Sequence, residues 1–357
     1  MTHPNSTSEF SNETKSRSAS FHRLMPWLIY FLTFFAVIHF WGQEWSILSR
    51  ILIAVGLYLA IAKLYKVLFL PAKLRQKSKQ QEQQERHPAY DWPTPGPFNG
   101  TGLKGKMLPL IIFYGSSMLT ILNPFILVQH VRILLGQMKT FRRLDSEGIN
   151  EEQDFKDYKT KVSYRLPFDG EWLVYNGGPT PETSHSWELL TQRYAYDFVK
   201  ADAGFKRHSS SGTKLTDYFC YEQPILAAAD GEVIKVVNNI SDGPLIGFWV
   251  MDFLTRNLAG SHVIIKHAES EYGFYAHLIK GSIPLKQGDK VKKGQTIGLC
   301  GHSGNSSEPH LHFHLQDQAS FYSSLGLPVK FESSRIDNEF IETDAVLKRG
   351  NRVEYTG

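Results

Sequence analysis

The sequence predicts an all-β domain, an antiparallel β-sheet of sandwich-like build, preceded by an α-helical membrane anchor. Three observations carry this expectation. From about residue 161 onward the chain is a succession of short β-rich runs separated by Gly, Asn, Asp and Pro. Three long apolar stretches crowd into residues 24–137, and a polar stretch at 71–106 separates the second from the third. The length of 357 residues is too great for one ordinary domain and suits a folded unit with an appendage. With 39 Lys+Arg against 35 Asp+Glu the net charge is only +4, which excludes charge-driven nucleic-acid binding, and 42% hydrophobic residues exclude a disordered chain.

Taken in order, residues 1–23 read as a disordered cytoplasmic tail. Residues 24–41, LMPWLIYFLTFFAVIHFW, hold no Asp, Glu, Lys or Arg. As a helix rising about 1.5 Å per residue they cover roughly 27 Å, close to the thickness of a bilayer core. A second run at 51–70 carries Lys63 and Lys66 towards one end, where long side chains reach the headgroups, so 24–70 is expected to form two transmembrane helices. Residues 71–106 include KLRQKSKQQEQQERH and DWPTPGPFNGTG and read as a polar loop. A third apolar segment, 107–137, contains Pro109, Gly115, Pro124 and Arg132; it is expected to cross the membrane, with a kinked, re-entrant or interfacial helix as the alternative.

Lys15, Arg17 and Arg23 before the first span, and Lys73, Arg75, Lys77 and Lys79 beyond the second, put both ends of the hairpin in the cytoplasm. A third crossing then makes the chain a multi-pass protein of the cell membrane, with the lipid bilayer as a partner and the β domain outside the cytoplasm. Residues 138–160 read as a linker, 161–335 as the β domain and 336–357 as a C-terminal tail.

The chemically informative segment is GHSGNSSEPHLHFHLQ, in which His310, His312 and His314 recur at spacing two. On a strand these imidazoles share one face, with Leu and Phe on the other, as a row serving one metal site requires. His314 either supports a ligand or lines the groove. His208, His262, His267 and His302 show no repeated spacing and read as packing or surface residues. Cys220 and Cys300 lack C-x-x-C spacing and suit one disulfide or two buried thiols.

Over residues 169–329 these motifs resemble the lysostaphin-type (LytM-like) zinc metallopeptidases, which cut peptide bonds in bacterial cell walls. The resemblance rests on Tyr275-Ala276-His277-Leu278, on His310-Leu311-His312-Phe313 and on Asp197 in QRYAYDF. It implies zinc as cofactor, Asp197 and His312 as ligands, and His277 and His310 as catalytic residues. One position departs from the pattern. The residue four before the Asp, usually a ligand, is Arg193, which stays protonated and has no lone pair for a metal. His185, in the upstream SHSW, is the expected first ligand in its place. Two imidazoles and a carboxylate would leave one zinc position open, as catalytic sites do. The expected function is a membrane-anchored zinc endopeptidase acting on peptidoglycan peptides. The alternative is an inactive relative that binds the wall or regulates another hydrolase, with Arg193 as its residue-level support.

Overall fold

The computed structural model describes residues 57, 92, 102–149 and 158–357. The chain divides into two compact units, 1–86 and 87–357, and the elements below belong to the second.

Thirteen strands make up the β domain: β1 (Trp172–Asn176), β2 (Tyr196–Val199), β3 (Pro224–Leu226), β4 (Gly231–Val237), β5 (Ser261–Ala268), β6 (Glu271–Leu278), β7 (Lys290–Val291), β8 (Thr296–Leu299), β9 (Leu311–Gln316), β10 (Gly326–Leu327), β11 (Ser334–Ile336), β12 (Glu339–Ile341) and β13 (Arg352–Tyr355). Eleven of them form one antiparallel sheet in the order β12-β11-β13-β1-β2-β9-β6-β5-β4-β7, with β10 also paired to β9, while β3 and β8 pair separately. The antiparallel β domain read from the sequence is therefore present.

Alternation along the central strands separates two faces. Val263 and Ile265 of β5, Tyr275 of β6, Leu311, Phe313 and Leu315 of β9, and Tyr196 and Phe198 of β2 join the main core, together with Ile225 of β3 and Ile297 of β8. The opposite face of the same strands carries Asp197, Ala276, His312 and His314. Strand β9 lies between β2 and β6, so its residues have a partner on either side.

Residues 336–357 are not a tail. They contain β12 and β13, and β13 pairs with both β1 and β11, so the sheet continues past residue 335. Asp337 and Asn338, with φ of 48° and 77°, form the tight link between β11 and β12. Two successive left-handed residues match the strand twist in a two-residue hairpin, and Asp and Asn tolerate that conformation best after Gly.

Among the described residues, two helices lie ahead of the sheet, α1 (Gly102–Leu119) and α2 (Pro124–Glu147), joined by a 3-10 turn at Thr120–Leu122. Residues 138–147, expected in the linker, continue α2. The multi-pass membrane placement is contradicted here: among the described residues no single helix is long and apolar enough to cross a bilayer, and the third apolar segment is broken by an 88° bend. The two spans expected over 24–70 lie, apart from residue 57, outside the described residues. Asn123-Pro124 causes the bend. A residue before proline is pushed to extended backbone, Asn123 has ψ of 114°, and its side chain accepts from Phe125 N to start a new helix at Pro124.

Helix α2 faces the β domain with Ile126, Gln129, Gly136, Gln137, Thr140 and Leu144, which are buried. Several of these are polar, and they close on loop backbone. Asn123 Nδ2 donates to the carbonyls of Phe253 and Thr255 at 3.0 and 2.7 Å. Gln129 donates to Arg256 O at 2.9 Å and accepts from Leu258 N at 3.1 Å. Gln137 Oε1 accepts from Leu190 N, and Thr140 Oγ1 donates to Ser323 O, both at 2.9 Å. Gly136 is required by close approach, since a Cβ there would stand 1.9 Å from Tyr322 O. The large apolar side chains Phe125, Leu127, Val128, Val131 and Leu135 are exposed instead.

Candidate metal centre

The site begins with strand register. Asp197 of β2 lies directly across from His312 of β9, and Ala276 of β6 faces His312 on the other side. Asp197 Oδ1 is 2.9 Å from His312 Nδ1, and Asp197 Oδ2 accepts from Asn176 Nδ2, also at 2.9 Å. Small Ala276 leaves room above the strand for the rings that gather there.

His185 arrives from outside the sheet, on the loop between β1 and β2. Its two neighbours close that loop: Ser184 Oγ donates to Arg193 O at 2.7 Å, and Ser186 Oγ to Gln192 O at 2.6 Å. Pinned between them, His185 Nε2 stands 3.4 Å from Asp197 Oδ2. Arg193 turns elsewhere. Its guanidinium lies over the Trp187 ring, 5.0 Å from the centroid, and Nε donates to Trp187 O at 3.2 Å. The residue at the usual ligand position thus braces the loop that presents His185.

One ligand atom from each of His185, Asp197 and His312 falls within 4.8 Å of the other two. Two imidazole nitrogens and a carboxylate oxygen in one cluster are a donor set for zinc with a position left open. The charges suit a cation. Burial alone would raise the Asp197 carboxyl, but His185, His310 and His312 outweigh it and hold the group well below the usual carboxylate range. The cluster of His185, Asp197 and His312 therefore fits zinc.

His277 and His310 stand beside this cluster, their ring centroids 4.6 Å apart. His277 Nδ1 bonds to Ser303 O at 2.7 Å, and His310 Nδ1 to Glu308 O at 2.8 Å. Since a backbone carbonyl only accepts, each Nδ1 carries a proton, so the neutral form of either ring has its lone pair on Nε2. Burial, reinforced by His310 and His312, pushes the His277 pKa well below its ordinary value and keeps the ring neutral.

His277 has φ of 61°, a left-handed backbone that costs a non-glycine residue on the order of 1–3 kcal/mol and recurs at functional sites. Its own N donates to Ala259 O at 3.1 Å, which holds the turn. The Ser303 carbonyl that orients the ring depends on a close backbone pass: a Cβ on Gly260 would meet Ser303 O at 2.2 Å, and one on Gly304 would meet Gly260 N at 2.3 Å.

All five residues expected from the sequence are therefore gathered in one place. His302 was expected as packing, but its Nδ1 bonds to Ser306 Oγ at 3.0 Å, and that hydroxyl is 3.2 Å from His310 Nδ1. Ser184, Ser186, Asn176 and Ser306 carry no sequence signal beyond sitting beside the motif residues. Cys220 and Cys300 are both buried as free thiols.

An antiparallel β domain with three clustered side chains able to hold one metal ion and two imidazoles beside them has the arrangement of a metallopeptidase type of centre. Residues 211–323, about a third of the chain, match the family described as Peptidase family M23. His277, His310 and His312 fall inside that match, whereas His185 and Asp197 lie upstream of it.

Among curated relatives, the peptidoglycan DD-endopeptidase ShyA of Vibrio cholerae is 45% identical over 64 residues, 17% of this chain and 14% of that protein. The peptidoglycan DD-endopeptidase ShyB of the same organism is 30% identical over 169 residues, 44% of this chain and 34% of that protein. The chain thus spans about a third or less of the length of these relatives. Among solved structures, the catalytic domain of the prophage-encoded M23 protein EnpA from Enterococcus faecalis aligns over 46% of this chain and 95% of its own, at 23% identity and TM-score 0.30. The catalytic domain of lysostaphin from Staphylococcus simulans aligns over 44% and 88%, at 20% identity and TM-score 0.26.

Proposed function

We propose that the protein is a zinc metalloendopeptidase that hydrolyses peptide bonds of bacterial peptidoglycan. In this reading His185, Asp197 and His312 hold the metal, and His277 and His310 act on the reacting atoms. One observation carries it: three ligand atoms within 4.8 Å of one another, beside two imidazoles whose Nδ1 atoms are tied to backbone carbonyls. The substrate class is supported by the Vibrio cholerae relatives, which are named peptidoglycan endopeptidases.

When bound, zinc supplies Lewis acidity, bringing the pKa of a water towards about 7 and polarising a scissile carbonyl. The chain's own residues do the rest. Asp197 stays ionised beside its imidazoles and balances the cation. Of His277 and His310, one takes a proton on Nε2 from the attacking water and returns it from the same atom to the departing amine, while the other stands beside the developing oxyanion. Their two carbonyl partners prevent either ring from turning its protonated nitrogen inward. The inactive-relative reading drew on Arg193, whose side chain is engaged with Trp187 in the structure.

The test uses the full chain, with zinc measured by mass spectrometry and peptidoglycan digestion followed by release of soluble fragments. Stoichiometric zinc is expected in the wild type, retained in His310→Ala and lost in Asp197→Ala, with digestion abolished in both. His185→Ala is expected to lose zinc while Arg193→Met keeps it. A wild-type chain that binds no zinc, or one that binds it and leaves peptidoglycan intact, would sink the proposal.

A further inference from the structure

We infer that His314, backed by Gln316, is a positioning residue that sets which ring nitrogen His312 offers to the metal. The inference rests on the reading of His312 as a ligand and goes beyond it, because His314 touches neither the cluster's ligand atoms nor solvent. Its side chain is completely buried, which excludes a role in lining the groove.

Strand alternation puts 312, 314 and 316 on one face of β9, and their side chains form a single file. His312 Nε2 is 3.1 Å from His314 Nδ1, and His314 Nε2 is 2.9 Å from Gln316 Oε1. Gln316 Nε2 donates to Gln318 O at 2.7 Å. The direction of every proton follows from that last carbonyl. It can only accept, so the amide nitrogen of Gln316 faces it, and Gln316 presents its oxygen to His314. His314 therefore carries its proton on Nε2, and as a buried neutral ring it has a bare Nδ1. That Nδ1 accepts from His312, whose proton then sits on Nε2.

In the neutral tautomer with its proton on Nε2, His312 has its lone pair on Nδ1, and that nitrogen faces Asp197 Oδ1 at 2.9 Å. Two acceptors this close repel unless a cation or a proton lies between them. The file thus leaves a lone pair and a carboxylate oxygen turned toward one point, prepared for a metal before it arrives. Phe274 fixes the plane of the middle member by stacking on the His314 ring, centroids 4.9 Å apart and planes at 19°, and the bonds to His312 and Gln316 select which edge of the ring faces each.

Supporting residues that orient a metal-bound histidine are worth on the order of 10- to 100-fold in metal affinity. For the full chain in competition with a chromophoric zinc chelator, His314→Leu is expected to weaken zinc binding within that range. His314→Asn, whose carboxamide oxygen can occupy the place of Nδ1, is expected to recover most of the loss. Melting of the metal-free proteins provides the control for packing, and imidazole nitrogen shifts of the zinc-bound protein report which nitrogen of His312 holds the proton. Wild-type affinity in His314→Leu, failure of His314→Asn to recover, or a proton on His312 Nδ1 would each overturn the inference. If His314→Leu does not fold, Gln316→Met removes the acceptor behind His314, and unchanged zinc affinity there overturns it equally. His312→Ala separates the two claims: full zinc binding in that variant defeats the ligand reading itself, whereas loss there with wild-type binding in His314→Leu defeats only the positioning role.

Discussion

The two faces of β9 are built from one six-residue strand, yet they are held by different physics. On one face Leu311, Phe313 and Leu315 are wholly buried in the main core, where what counts is volume and apolar area. On the other, His312, His314 and Gln316 are also buried, and each takes part in a directed hydrogen bond along the file. An apolar neighbour of similar size can replace a core residue at modest cost. A member of the hydrogen-bonded file cannot be replaced so freely, because the next member is left facing an unpaired polar atom. The core face gives the strand its place, and the polar face spends that rigidity on geometry.

This contrast can be broken from either side. The largest effect is expected for Asp197→Ala, which should lower zinc affinity by more than about 100-fold, beyond the range of supporting residues, while the sheet stays folded by circular dichroism. The mirror experiment is Phe313→Ala, expected to cost about 3–5 kcal/mol of stability in denaturant titrations while the folded fraction still binds zinc. Equal loss of stability in both variants would mean that the two faces are not separable.

A smaller effect is expected from pH. Burial lowers the pKa of His262, His267 and His302 from 6.5 to about 4. Between those values the unfolded chain binds protons that the folded chain refuses. Stability is therefore complete above about pH 6.5 and falls as the pH drops towards 4, each group contributing up to about 1.4 kcal/mol per pH unit. Denaturant midpoints across this window should decline for the metal-free protein, and His267→Gln should flatten the decline. The smallest effect belongs to the loop that presents His185. Ser184→Ala removes two hydrogen bonds and Ser186→Ala one, each worth about 1 kcal/mol, and a severalfold weaker zinc affinity with only a small drop in melting temperature is expected, larger for Ser184→Ala.

Much of the site was legible because its chemistry is local. H-x-H on a strand places two imidazoles on one face whatever the rest of the chain does, and the Leu and Phe between them declare the opposite face buried. Tyr275-Ala276-His277-Leu278 reads the same way, with Tyr275 in the core and Ala276 facing His312. His185 was expected from the resemblance, as the nearest upstream histidine once Arg193 occupied the pattern's ligand position. Its actual placement depends on Ser184 and Ser186 bonding to carbonyls up to nine positions along the chain, a contact that no local pattern encodes.

The segment 107–137 misled for a related reason. Hydropathy counts apolar residues but does not register that Asn123-Pro124 turns the chain through 88°, or that Gln129, Gln137 and Thr140 on α2 close on loop carbonyls and amides of the β domain. Residues 336–357 misled in the opposite way. Short polar strands such as β12 and β13 acquire their strand character from the neighbours they pair with.

By itself, then, the sequence determined the antiparallel β domain and the identity of the five residues expected at its centre, because strand alternation and donor chemistry act over two to four positions. Only the tertiary structure decided which nitrogen each histidine turns inward, how His185 comes within 3.4 Å of Asp197, and how Arg193 is occupied. Those outcomes depend on carbonyls and rings contributed by distant parts of the chain, and they exist only once the backbone has folded around them.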